Sequence, residues 1–301
     1  MPTQVGLIGL GAMGLGMAGS LRRAGHAPFV FDLRSEVAQK FAGAGGAGCG
    51  TACGSVADLA AACDVVVSVV VNAQQTEAVL FGDGGCAAHM KAGSVFVMCS
   101  TVDPNWSVRT AQRLQDMGLL FLDSPISGGA AKAASAQMTI MSSGPAEAYD
   151  KCGVFLDAMA AKVYRLGADA GAASKVKIIN QLLAGVHIAA AAEAMALGLR
   201  EGVDPDALYE VITHSAGNSW MFENRMAHVL AGDYTPLSAV DIFVKDLGLV
   251  LDLARGSKFP LPLSSTAHQM FMQASTAGHA TEDDSAVIKI FPGIQLPAPK
   301  V

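Results

Sequence analysis

Three glycines at a fixed spacing carry the first chemical signal. Gly9-Leu10-Gly11-Ala12-Met13-Gly14 reads G-x-G-x-x-G and follows directly on the apolar run Val5-Gly6-Leu7-Ile8. Gly9 permits a sharp turn out of a buried strand, Gly11 lets the backbone approach a pyrophosphate, and Gly14 lets the next helix pack closely on the sheet. Leu10, Ala12 and Met13 complete the turn and the helix start, whose free N–H groups and positive dipole end face a phosphate. The helix runs to about Arg23 and breaks at Gly25-His26. Pro28 to Phe31 begins a second strand, which Asp32 closes. A carboxylate there accepts hydrogen bonds from the adenosine ribose and repels a 2′-phosphate, which favours NAD over NADP. Arg34, two residues on, softens that repulsion. Alone, the glycine spacing also fits a tight turn that binds nothing; the preceding strand, the following helix and the acid together favour a dinucleotide.

A second cluster has anion-binding chemistry. In Ser124-Pro125-Ile126-Ser127-Gly128-Gly129, successive N–H groups around two glycines form a nest, and the Ser127 hydroxyl adds a donor. Two further positions fall where strands end. Asn72 follows the valine-rich run Val65 to Val71, and Ser100-Thr101 follows Ser94 to Cys99. Ligands of an open parallel sheet collect at the carboxyl ends of its strands, so Asn72 and Thr101 are candidate cofactor contacts. Asn72 also fits a turn residue, and the hydroxyls also fit an N-cap for a helix starting near Pro104.

These groups need a doubly wound α/β scaffold to hold them. Strand and helix patterns alternate from Val5 to Tyr164, with helices expected over Ser35 to Ala44, capped by Ser35, and Ser55 to Ala62, where Ser55 and Asp58 form a capping-box variant. Gly43 to Gly54 reads as a loop with a short strand. The alternation stops at about residue 165. Ala168 to Arg200 is alanine-rich and apolar on most sides, which predicts a spine helix buried nearly all round. Four helices and a last one over Asp284 to Ile290 follow, and Pro292 to Val301 reads as loosely held. The expected organisation is a dinucleotide-binding domain of the Rossmann type over 1–164 and an all-helical domain over 165–301. The apolar spine points to a homodimer or homotetramer sharing helical domains.

Composition excludes other classes. Of 301 residues, 51% are hydrophobic and 15% charged, which fits a packed enzyme and not a disordered chain. A net charge of -6 argues against a nucleic-acid footprint. Val5 to Leu21 is uncharged, but its glycines and the lack of a basic flank favour the dinucleotide turn over a membrane segment, so the chain is placed in the cytoplasm. The six cysteines form no C-x-x-C pair and read as free thiols, with no metal site.

Three motifs in order resemble the β-hydroxyacid dehydrogenases: Gly9-x-Gly11-x-x-Gly14-x-x-Met17-Ala18, the Asp123 to Gly129 loop, and Lys177 on the long helix. Lys245-Asp246-Leu247 is similar to the family's later K-D-L motif. The segments AAKAASAQMTIMSSG, NQLLAGVHIAAAAEAMAL and EDDSAVIKIF look like a branch that oxidises a four-carbon sugar acid at C2 with NAD. The resemblance implies Lys177 as the catalytic acid/base. It implies an asparagine four residues later, where this chain has Gln181 beside Asn180; both become candidates to orient substrate hydroxyls. Ser127, Gly128 and Gly129 become candidates for the carboxylate of a small anionic hydroxy acid, and Lys245 for the cofactor side. Lys175 competes with Lys177 but points to another face of the helix. His187, His214 and His268 read as core or surface histidines. Other family members, acting on 3-hydroxyisobutyrate, tartronate semialdehyde or glycerate, are rival readings, as is a non-catalytic NAD-binding sensor, against which the intact Ser127 and Lys177 argue; imine reductases share the architecture but usually lack the lysine.

Overall fold

The computed structural model describes residues 2–46 and 49–299, which form two compact units, Met1–Lys177 and Ile178–Val301. Ala47 and Gly48, in the expected loop before the third strand, lie outside the described residues.

The first unit is built on a six-stranded parallel sheet of β1 (Val5–Ile8), β2 (Phe29–Phe31), β3 (Thr51–Ala52), β4 (Val65–Ser68), β5 (Val95–Met98) and β6 (Leu120–Asp123). The spatial order is β3-β2-β1-β4-β5-β6. Order reverses between β1 and β4, the switch point at which doubly wound sheets bind ligands. Helices α1 (Ala12–Arg23), α2 (Ser35–Gly43), α3 (Val56–Ala62), α4 (Ala73–Phe81) and α5 (Pro104–Asp116) link the strands.

The valine runs explain the sheet. Alternate residues of a strand point to opposite faces. Val5, Leu7, Val65, Val67, Val95 and Val97 pack into one core with Met17 and Leu21 of α1. Ile8, Val66, Phe96 and Met98 pack into another with Leu59 of α3. A strand covered on both faces needs apolar residues at every position, which is the pattern present.

Local signals mostly match. Ser55 caps α3, its Oγ accepting from the Asp58 N–H at 3.0 Å. Ser35 does not cap α2; it is the first helical residue, and Arg34 holds the cap position without a side-chain bond. The strand expected over Val65 to Val71 ends at Ser68, and Asn72 caps α4 by accepting from the Gln75 N–H at 2.8 Å. Helix α5 is capped by Asp103, which accepts from the Asn105 N–H at 2.9 Å, so neither Ser100 nor Thr101 has that role.

A small second sheet follows: β7 (Ile126–Ser127), β8 (Met138–Ser142) and β9 (Ala160–Arg165), with α6 (Gly129–Ala134) and α7 (Ala146–Met159) between them. β7 pairs antiparallel and β9 parallel with β8. Helix α8 (Ala172–Arg200) then begins, and the first unit reaches past residue 164 to Lys177. The reason is a set of hydrogen bonds at the start of α8, described below.

The second unit comprises the rest of α8 with α9 (Pro205–Thr213), α10 (Trp220–Ala231), α11 (Val240–Ser257), α12 (Pro262–Ala274) and a 3-10 turn over Asp284–Ile290. Ile188, Ala192, Met195, Met226, Phe243 and Phe271 form its core. Arg225 and Asp284 form a buried ion pair within it. Burial pushes the Asp284 carboxyl up to about 6 in spite of Arg225. Two expectations change. The tail is not loose through Pro299: Ile294 and Leu296 pack on the core, and Arg200 donates to the Gly293 carbonyl at 2.9 Å. The spine helix is not buried all round. Val176, Ile179, Leu183 and Leu197 stand exposed along it, at 40%, 58%, 51% and 61%.

Candidate active site

The glycine turn sits between β1 and α1. Gly14 must be glycine, because a Cβ there would lie 1.8 Å from the Gly9 carbonyl oxygen. A Cβ on Gly11 would meet nothing within 4 Å, which leaves the space a pyrophosphate needs. Gly11 caps α1 without a side-chain bond, so the first N–H groups of the helix face that space. Beside the turn lies a cleft of about 740 Å³ whose lining includes Leu10, Gly11, Ala12, Arg34, Val37 and Phe41. The residues present therefore fit a dinucleotide.

Asp32 has a role that its position in the motif did not reveal. One oxygen accepts from the Leu10 N–H at 2.7 Å and pins the glycine turn. The other accepts from the Arg34 N–H at 2.9 Å and from Arg34 Nε at 3.0 Å. Partial burial works against its charge, but the bonds from Arg34 and Leu10 outweigh it and hold the carboxyl below the usual range.

Along the carboxyl edge of the sheet, Asn72 directs its side-chain oxygen to the α4 cap. Ser100 ties its neighbours together: its hydroxyl bonds the Val70 carbonyl at 2.8 Å and Thr76 Oγ1 at 2.9 Å. Thr101 follows it, partly exposed. Ser127 pairs in register with Thr139, and the two glycines after it have φ of +134° and +77°. Those left-handed values turn the chain sharply into α6 and would strain any residue with a side chain. Ser127 and Gly128 are partly exposed and Gly129 is exposed.

The start of α8 is fixed by a residue at the head of the same motif. Asp123 is fully buried at the end of β6. It accepts from the Gly171 N–H at 2.9 Å, the Ser174 N–H at 3.0 Å and the Ser174 hydroxyl at 2.7 Å. Ser143 Oγ takes the Ala173 N–H at 3.1 Å. The N–H groups that a helix leaves unpaired at its start are thus held by the first unit. Burial raises the Asp123 pKa, and the Ser174 and Gly171 bonds pull against that rise. Lys177 lies one turn beyond this clamp, on the same face as Ser174. It is 6% exposed, whereas Lys175 is exposed. Sequence reasoning included Asp123 in its motif but gave it no role.

In the second unit, Asn180 and Gln181 continue α8, and Lys245 and Asp246 lie on α11. Gln181 Nε2 donates to Asp246 Oδ2 at 2.6 Å, and Gln181 Oε1 accepts from Asn180 Nδ2 at 2.9 Å. Lys245 Nζ donates to Asp246 Oδ1 at 2.5 Å. His187 and His214 are exposed, and His268 is hydrogen-bonded to the Val244 carbonyl at 3.0 Å. Burial pushes the thiols of Cys63, Cys86, Cys99 and Cys152 up to about 12, well away from nucleophilic use.

Two family models match in succession. Residues 4–167 match the NAD binding domain of 6-phosphogluconate dehydrogenase. Residues 171–291 match the domain described as NAD-binding of NADP-dependent 3-hydroxyisobutyrate dehydrogenase. An L-threonate dehydrogenase of Cupriavidus necator is 69% identical over 99% of both chains. One of Escherichia coli K12 is 53% identical over 98% of this chain and 97% of the relative. A crystal structure of a 3-hydroxyisobutyrate dehydrogenase from Salmonella typhimurium superposes with a TM-score of 0.91 at 53% identity, covering 96% of this chain and all of that one. The chain belongs to the β-hydroxyacid dehydrogenases, NAD-dependent oxidoreductases acting on the CH–OH group of hydroxy acids, and within them to the branch whose curated members are L-threonate dehydrogenases.

Proposed function

We propose that this chain oxidises L-threonate at C2 to 2-dehydro-L-erythronate with NAD. The observation that carries the substrate is the 69% identity to an L-threonate dehydrogenase across 99% of both chains. The buried Lys177, one turn past a helix start held by four hydrogen bonds, supports the chemistry.

NAD supplies the hydride acceptor, held by the backbone from Gly9 to Gly14 and by Asp32, with Asn72, Thr101 and Lys245 as further contacts. Neutral Lys177 takes the proton of the hydroxyl at C2 and returns it in the reverse direction. Ser127, Gly128 and Gly129 hold the substrate carboxylate, and Asn180 and Gln181 orient the remaining hydroxyls. Local donors are required because a net charge of -6 gives an anion no long-range attraction. A second copy of the chain covers the exposed stripe of Val176, Ile179, Leu183 and Leu197, making a homodimer or homotetramer that works in the cytoplasm.

A second reading, 3-hydroxyisobutyrate as substrate, is favoured by the description of the Salmonella typhimurium structure at 53% identity. NAD reduction by the purified protein with L-threonate, D-threonate, D-glycerate and 3-hydroxyisobutyrate separates the two. The expected result is a clear preference for L-threonate; turnover of another acid with none on L-threonate overturns the substrate assignment.

A further inference from the structure

We infer that Asp246 is a positioning residue that sets the substrate preference by fixing which end of the Gln181 amide it binds. The inference rests on the proposal that Asn180 and Gln181 orient substrate hydroxyls. An amide has a donor end and an acceptor end of nearly the same shape, and packing alone does not choose between them. An ionised carboxylate only accepts. It bonds the NH₂ end and repels the carbonyl end.

Asp246 is 2% exposed and Gln181 is 7% exposed, so neither exchanges this bond freely for water. The two oxygens of Asp246 are divided. Oδ1 takes Lys245 at 2.5 Å, and Oδ2 takes the NH₂ of Gln181 at 2.6 Å. Lys245 fixes the rotation of the carboxylate. Gln181 therefore turns its carbonyl to Asn180, which donates its own NH₂ at 2.9 Å. Direction passes along the chain of bonds: Asn180 to Gln181 to Asp246, with Lys245 closing the far end. The chain ends on an acceptor, the side-chain carbonyl of Asn180, which is partly exposed.

An acceptor selects a hydroxyl that donates to it. It gains nothing from a methyl group and repels a second carboxylate. The preferred class is then an acid with hydroxyls beyond the one oxidised, and the discriminated class is the methyl-bearing acid. The family asparagine at position 181 is one methylene shorter, so the glutamine and Asp246 form one unit in this chain.

The test is Asp246→Asn, compared with wild type on L-threonate and on 3-hydroxyisobutyrate, whose only hydroxyl is the one oxidised. An asparagine at 246 accepts or donates, and the Gln181 amide is no longer held one way round. kcat/KM for L-threonate falls about tenfold, mainly through KM, while kcat/KM for 3-hydroxyisobutyrate changes about twofold or less. Where turnover of that acid is too slow, its inhibition constant against L-threonate is read instead. Gln181→Met keeps the Lys245–Asp246 pair and the side-chain volume, and gives the same selective loss should Asp246→Asn fail to fold. Equal losses on both acids, or a fall in kcat alone, would overturn the inference. A wrong substrate assignment is visible in the wild type by itself; the ratio is then measured with the hydroxylated acid that the wild type prefers, and a wrong role for Asp246 shows only in the variants.

Discussion

Ser174→Ala tests whether the clamp at the start of α8 is what holds Lys177. Asp123 is fully buried and has three donors from α8 and its lead-in: the Gly171 N–H, the Ser174 N–H and the Ser174 hydroxyl at 2.7 Å. The substitution removes only the hydroxyl, at a residue 1% exposed, and leaves both backbone bonds and the helix propensity intact. A hydrogen bond to a charged group contributes about 1.5–3 kcal/mol. A loss of about 2 kcal/mol lowers Tm by about 4–8 °C in a unit of this size. The pH dependence gives a sharper signature. Burial already raises the Asp123 pKa above its unfolded value, so the folded state binds the extra proton and stability falls as pH rises through the folded pKa. Taking away the Ser174 donor raises that pKa further. The Tm difference between wild type and variant must therefore be small at pH 4 and larger at pH 7. Calorimetry at the two pH values measures it, and initial rates with NAD measure the effect on turnover, expected to drop severalfold with NAD affinity unchanged. An unchanged Tm at both pH values refutes the clamp. A lowered Tm with undiminished kcat keeps the clamp and removes it from the positioning of Lys177.

Lys177→Ala should lower kcat by about 10²–10⁴ while NAD still binds, as titration calorimetry would show; retained turnover sinks the assignment of the base. Asp32→Asn keeps an acceptor for the Leu10 N–H but removes the charge that a 2′-phosphate would meet, and Arg34 is released from its ion pair. The ratio of kcat/KM for NADP to that for NAD should rise about tenfold or more, and an unchanged ratio means that the discrimination lies elsewhere. Burial lifts the Asp284 carboxyl to about 6, well above that of a free aspartate, so its contribution to stability declines as pH rises from about 4 to 6. The Tm difference between wild type and Asp284→Asn should shift across that window with this sign, and a difference flat between pH 4 and 6 contradicts the raised value.

Much of the first unit was legible because its signals are local. The valine runs report strands covered on both faces, and the glycine spacing reports a turn whose Gly14 has no room for a Cβ. Signals that depend on a distant partner were not legible. Asp123 reads as a strand end in a motif, and nothing in its neighbourhood says that Gly171 and Ser174 meet it. Asp32 reads as a ribose ligand, and its hold on the Leu10 N–H becomes visible only when β1 and β2 lie side by side. The spine helix misled in the opposite way. Its uniform apolarity predicts burial on every side, but hydropathy alone does not say whether the cover comes from the same chain. Here Leu183 and Leu197 remain open.

Three carboxylates, Asp32 and Asp123 in the first unit and Asp246 in the second, pose one electrostatic problem, and each is met in the same way. The substrate is an anion and the cofactor carries phosphates, while the chain has a net charge of -6. Unmatched carboxylates near the site would repel both. Each of the three instead faces donors of the protein: Leu10 and Arg34 for Asp32, Gly171 and Ser174 for Asp123, Lys245 and Gln181 for Asp246. Each bond also fixes something that the proposed chemistry uses, namely the glycine turn, the helix that bears Lys177, and the amide next to Asn180. A hydroxyl or amide in place of any of these acids would hold its neighbours more weakly, because hydrogen bonds to an ionised acceptor are about twice as strong as neutral ones. A carboxylate is therefore the more rigid way to hold each of these neighbours, on the condition that donors of the chain meet its oxygens before a ligand does.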